Sequence, residues 1–244
     1  VAKKQTPNPT AETLRELEAS GDRVAEWASA NATLILGVMA ALLLLAGVIG
    51  LYMQAGQEAR DEAANDLALA TSQYRQEMGA DPISGPIPEP ANPELAEEIR
   101  ARFVDRFAGV AREHGGTTAG ALAWLEAGQL QSELGRLEAA AESFGRAREE
   151  VSGSAIAAIA ESRLAHLAEE RGDLTTAAEG YERAAGIASY PLRPQALADA
   201  TRCWLEAGNG PRALAAYQRL ETGFPDEVRP PVIEAAIREL RASS

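Results

Sequence analysis

Apolar and uncharged residues run without a break from Ala32 to Met53 (ATLILGVMAALLLLAGVIGLYM), 22 positions in succession. A soluble helix rarely stays uncharged on every face for so many turns. At ~1.5 Å per residue the run predicts a helix of about 33 Å, enough to cross a bilayer core. On either side the pattern turns periodic. Residues 1–9 lack an apolar pattern. Thr10 can cap a short helix over 11–19 with Leu14 and Leu17 on one face, and Asp22, after Ser20-Gly21, can cap the helix leading into the run. Beyond the run, Ala63, Leu67, Ala70 and Tyr74 are spaced four, three and four, an apolar stripe flanked by Arg60, Asp61, Glu62 and Asp66. This predicts a helical stalk over 54–79, whose stripe calls for a partner helix or for the chain's own domain. Pro82, Pro86, Pro88, Pro90 and Pro93 exclude a helix over 80–93 and predict an extended spacer. Helix returns over 94–113 with Leu95, Ile99, Phe103 and Phe107 as its buried stripe; Gly115-Gly116 ends it, and Thr117 or Thr118 starts the next.

From residue 121 the pattern repeats. Gly135, Ala140, Phe144 and Ala147 are followed by Gly172, Ala177, Tyr181 and Ala184, then by Gly208, Ala213, Tyr217 and Leu220. The internal spacing is five, four, three each time, and the glycines recur 37 and 36 residues apart. A glycine in the left-handed region can separate two antiparallel helices, a small alanine lets them approach, and the aromatic fills the groove between hairpins. Residues 230–242, with Val232, Ile233, Ala236, Ile237 and Leu240, read as one more amphipathic helix covering the open end of such a stack.

The first unit resembles the tetratricopeptide repeat, with Trp124, Gly128, Gly135, Ala140, Phe144 and Ala147 in its signature places. The second has Leu164 and Ala165 where that family places Leu and Gly, but Glu161 in place of Trp; the third keeps Pro225 but has Thr201 at the early Gly. The first two units run slightly over the family's period of about 34. The resemblance implies an all-α fold: one N-terminal transmembrane helix, then an α-helical solenoid of about three degenerate repeats with flanking helices. The expected parts are an N-terminal segment (1–31), the transmembrane helix (32–53), the stalk (54–79), the linker (80–93) and the repeat domain (94–244), with units at about 121–154, 158–191 and 194–227. This order, with the stretch HGGTTAGALAWLEAGQLQSELGRLEAAAESF (114–144), also resembles the YfgM-type ancillary subunit of the bacterial protein-export translocon. That resemblance implies a single-pass inner-membrane protein, cytoplasmic at its N-terminus and periplasmic at its repeat domain. Its partners would be the translocon or exported polypeptides. The alternative is an accessory subunit stabilising a larger membrane complex.

Flanking residues bear on the membrane reading. A secretory signal starts basic and short, whereas 31 residues precede this run and carry five acids. Trp27 and Tyr52 bracket the run as headgroup-level aromatics. Lys3, Lys4, Arg15 and Arg23 precede it, against Arg60 and Arg75 in the stretch that follows, which sets the N-terminus inside. Gly37 with Ala41 and Ala46 with Gly50 have the small-xxx-small spacing that packs membrane helices.

The net charge is −13, nearly all of it after Met53. A surface this acidic repels phosphate backbones, so nucleic acid is not an expected partner. Cys203, the single cysteine, permits no intramolecular disulfide and sits in an apolar helical pattern. His114 and His166 lie 52 residues apart, without the spacing of a metal site. No nucleophile motif or phosphate-cradling loop is present, so no enzyme, cofactor, metal or small-molecule substrate is expected. Glu149-Glu150 and Glu169-Glu170 read as solvated helix faces. By analogy with tetratricopeptide domains, the second, fifth and ninth residues of each unit would line a partner-binding groove. These are Leu122, Leu125 and Gln129; Ile159, Ser162 and His166; Gln195, Ala198 and Arg202. A lining of mixed apolar and neutral residues with one base suits extended or helical polypeptide better than an acidic tail.

Overall fold

The computed structural model describes residues 32–242; most side chains before residue 56 lie outside the description. The described residues are all-helical: α1 (Ala32–Glu77), α2 (Pro93–Glu113), α3 (Thr118–Glu133), α4 (Leu137–Glu150), α5 (Ala155–Glu170), α6 (Leu174–Gly186), α7 (Arg193–Glu206), α8 (Gly210–Gly223) and α9 (Pro231–Ala242). The chain divides into two compact units, Val1–Gln57 and Glu58–Ser244. The expected helix over 11–19, the cap at Asp22 and the ring of Trp27 lie outside the described residues. So do the side chains of Gly37, Ala41, Ala46, Gly50 and Tyr52, although these positions fall within α1. Among the described residues no helix is long and apolar enough to cross a membrane.

In the second unit, each helix from α2 to α8 packs on its neighbours in sequence, and α9 packs on both α7 and α8. Three turns between packed pairs are built alike. Gly135, Gly172 and Gly208 have φ of +70°, +78° and +72°. At the first, the Gly135 N–H donates to the Ser132 carbonyl (2.9 Å) and the Arg136 N–H to that of Gln131 (2.8 Å). The same two bonds recur at Gly172-Asp173 and at Gly208-Asn209. This pair of bonds satisfies the last carbonyls of the helix and needs a left-handed residue, which glycine adopts without a Cβ clash. The following helices of the second and third turns are capped by Asp173 and Asn209, whose side chains accept from Thr176 N–H and Arg212 N–H.

The alanine–aromatic–aliphatic sets fill the core. Ala140, Phe144 and Ala147, then Ala177, Tyr181 and Ala184, then Ala213, Tyr217 and Leu220, are all buried. Phe144 also packs with Leu167 of the following helix pair. Gly128 makes room for it: a Cβ there would stand 2.6 Å from Phe144 Cε1. In the next pair Ala165 takes the place of Gly128, and the glycine has moved across the interface, where a Cβ on Gly180 would meet that of Ala165 at 2.8 Å. In the third pair Thr201 is fully buried, and its hydroxyl donates to the Leu197 carbonyl at 2.7 Å.

Three expectations are corrected. The segment 80–93 does not hold stalk and domain apart. Tyr74 packs on Phe103 and Phe107 (ring centroids 5.3 and 6.3 Å apart), so the stalk's stripe is part of the domain's own core, with Ala70 and Met78 buried beside it. The segment bends because the Asp81 carboxylate accepts the Ile83 and Ser84 N–H groups (2.9 and 3.0 Å), while the Arg75 guanidinium donates to the Asp81, Ser84 and Gly85 carbonyls. Farther on, Glu89 is tied to Arg100, which also holds Glu133 of α3. Leu95 is 46% exposed; Ala96 takes its place in the core, because the buried stripe of α2 is offset by one residue at its start. Val232 is 73% exposed, and only Ile233 and Ile237 of α9 are buried, since that helix meets the domain with one narrow face.

Candidate protein-interaction site

The nine residues expected to line a groove lie on α3, α5 and α7, and among the described residues several of them line separate clefts. Leu125 and Ile159 are partly buried against core clusters. Gln129 and His166 come together in a cleft of about 190 Å³ that also exposes Arg163 and Glu170; the Gln129 amide donates to Glu133 at 3.0 Å. Gln195 and Ala198 line a second cleft of about 230 Å³, closed by Leu192, Val228 and Pro230. Ser162 is half-buried and lines neither of these. Leu122 faces a third, larger space described below.

Arg202, the one base expected in the groove, is already engaged. Its guanidinium donates to both carboxylate oxygens of Glu169, at 2.8 and 3.0 Å, and lies 3.4 Å from Glu206. The Tyr181 hydroxyl donates to the same carboxylate at 3.2 Å. The Arg202 bonds hold Glu169 below the usual carboxylate range, with Tyr181 adding to the effect. Burial raises the Tyr181 hydroxyl and the Asp199 carboxyl, and it pushes the neighbouring Cys203 thiol up to about 12. The thiol is therefore a buried, protonated small hydrophobe. What looks like a groove base is a tie from α5 to α7, bidentate and partly shielded.

A cleft of about 750 Å³ opens beside the stalk. One wall is α1 from Arg60 to Arg75, the other is the start of α3 with Thr118, Ala119 and Leu122, and Pro82 and Ile83 form an edge. The first turn of α3 is set there by Thr117, whose side chain accepts the Gly120 N–H while its hydroxyl donates to the His114 carbonyl. Most of the lining is apolar: Ala64, Leu67, Ala68, Ile83, Ala119 and Leu122.

Several charged residues hold partners buried in the domain. Glu161 is buried between Arg148 (3.4 Å) and Arg183 (3.1 Å). An acid in an otherwise apolar stripe is the sequence signal for it. Glu150 accepts the Trp124 indole N–H at 2.9 Å, with the Arg146 guanidinium 4.8 Å from the ring centroid. Glu182 and Arg212 hold Trp204 in the same manner, at 2.9 and 4.5 Å. Nothing distinguishes Glu169 from Glu170 in sequence, because its partner lies 33 residues away. His114, read as a helix end, does cap α2, and its Nε2 is 2.8 Å from Asp66 Oδ2 of the stalk. With Glu113 these two form a trio of metal-type donors within 4.8 Å of one another. The imidazole's outward nitrogen is already given to Asp66 and Glu113 is exposed, so a hydrogen bond between helices accounts for the arrangement.

No protein-family model matches the chain, and no curated protein matches it. Among solved structures it is similar to the crystal structure of BtubC (BKLC) from P. vanneervenii, at 17% identity and a TM-score of 0.41, over 69% of this chain and 78% of that one. At that level the likeness bears on neither fold nor function.

Proposed function

We propose that this chain is a membrane-anchored protein-interaction module built from degenerate tetratricopeptide repeats. The observation that carries the reading is the turn repeated at Gly135, Gly172 and Gly208, with the same closing hydrogen bonds and the same alanine–aromatic set in the helix that follows. Identical punctuation at a near-constant period marks one supersecondary unit used three times, and stacked helix pairs of this kind present extended surfaces for polypeptides. The uncharged run of residues 32–53 supplies the anchor, and the bias of Lys3, Lys4, Arg15 and Arg23 sets the N-terminus inside. The role is that of an adaptor or chaperone-like partner of the protein-export machinery on the far side of the inner membrane. Intact spheroplasts treated with protease test the topology: everything past Met53 is expected to be digested, and protection would reverse the orientation. Photo-crosslinkers at Gln129 and Gln195 are expected to reach the export channel or nascent secreted chains; contact with neither would remove the adaptor reading.

The second reading, an accessory subunit of a larger membrane complex, rests on the spacing of Gly37, Ala41, Ala46 and Gly50. It loses a separate ground, because the stalk stripe of Ala63, Ala70 and Tyr74 is buried within the domain. Gly50→Leu is expected to expel the protein from such a complex, and unchanged co-purification would favour the freely diffusing adaptor.

A further inference from the structure

Resting on the protein-interaction reading, we propose that the cleft between α1 and the start of α3 docks an amphipathic α-helix of a partner protein, with an apolar face and an acidic side chain at one end of it. Of the nine expected groove residues, only Leu122 lies here. The α1 wall runs from Arg60 to Arg75, about 22 Å at the helical rise, or some four turns of a docked helix. Small residues at Ala64, Ala68 and Ser72 let another backbone come close, and Leu67 and Leu122 give the floor its apolar contacts. Ile83 stands at the edge with 92% of its surface exposed, presented by the turn that Arg75 clamps. Ile83 extends the apolar trough into one contiguous patch, the kind of surface a partner's apolar face would cover. The cleft is partly open to solvent rather than enclosed, which suits a helix that keeps its polar face in water, whereas a site for a small apolar ligand encloses most of it.

Charge sets the direction. Two cations line the cleft. The guanidinium of Arg75 is held by three backbone carbonyls, and its charge already faces the Asp81 carboxylate. Arg60 makes no ion pair among the described residues, in a chain of net charge −13. An acidic residue on the partner would find its counter-charge only at the Arg60 end, so the helix has one favoured polarity.

The test uses the full chain in lipid nanodiscs and a displayed library of helical peptides, each roughly 16 residues long. Recovered peptides are expected to carry apolar residues at i, i+3, i+4 and i+7 and an acid at one end. Ala68→Trp fills the trough at an exposed position. It is expected to weaken those peptides more than tenfold while leaving the thermal melt unchanged. Arg60→Glu is expected to reverse the preference, so that the same peptide with Lys in place of its acid binds about tenfold better than the original. Recovery of no helical peptide, binding indifferent to Ala68→Trp, or the same acid preference in Arg60→Glu would overturn the proposal. So would displacement of the peptides by palmitate, which would make the cleft an acyl-chain site. Crosslinkers at Gln129 and Gln195 that reach neither the export channel nor nascent chains, with charge-reversed binding intact, would sink the adaptor reading and leave the cleft standing; the opposite pattern sinks the cleft alone.

Discussion

A single methyl group separates the two kinds of glycine inside these helices. At Gly128 an added Cβ would press on the Phe144 ring at 2.6 Å, against a side chain that is itself buried. At Gly145, on α4, it would meet nothing within 4 Å. Alanine improves helix propensity at both by about 1 kcal/mol, but overpacking costs about 1–3 kcal/mol. Gly128→Ala is therefore expected to lower stability by up to about 2 kcal/mol. Gly145→Ala is expected to raise it by about 0.5–1 kcal/mol, both read from urea unfolding. Thiol chemistry is decided just as locally. Burial of Cys203 pushes its thiol up to about 12, so at pH 8 a thiol-reactive dye is expected to label the protein only after denaturant is added. Prompt labelling of the folded chain would mean that α7 opens readily.

Between elements, the tie from Glu169 on α5 to Arg202 on α7 couples neighbouring repeats. Arg202 lowers the Glu169 carboxyl in the folded chain from its ordinary value of 4.5. The unfolded chain thus takes up this proton first as pH falls. The stabilisation is fully present above about pH 4.5 and is lost as pH drops through the lowered folded value. Glu169→Gln is expected to cost about 1–2 kcal/mol at pH 7, after allowance for the partial exposure of both groups. The difference from wild type should begin to narrow as pH falls below about 4.5, in equilibrium unfolding followed across pH. A gap that stays constant to pH 3 would show that the bond contributes by packing alone.

For the molecule as a whole, the boundary that matters is the one before Glu58, where the second compact unit begins. Half of α1 belongs to the repeat domain, because its stripe covers Phe103 and Phe107. A chain starting at Glu58 is expected to melt in one sharp transition. One starting at Glu94 leaves those aromatic rings uncovered and should melt lower and bind a hydrophobic dye. Equal melting of the two would return the stalk to the role of a separate element. The proline-rich sequence alone pointed to a spacer, since five prolines exclude a helix but say nothing about which way the chain turns. The turn depends on Arg75 reaching three carbonyls six to ten residues ahead, a set of contacts with no period to betray it.

What could be read from the order of residues is whatever repeats or persists. The helical class, the glycine turns and the alanine–aromatic core follow from periodicity, because each depends on neighbours a few residues away. Tertiary structure alone decided the rest. It put Glu169 rather than Glu170 against Arg202, set Gly128 against Phe144 and Gly180 against Ala165, and joined Asp66 to His114 across 48 residues. It also set a cleft of about 750 Å³ beside the stalk. These are meetings of side chains far apart in the chain, and their geometry exists only once the helices have packed.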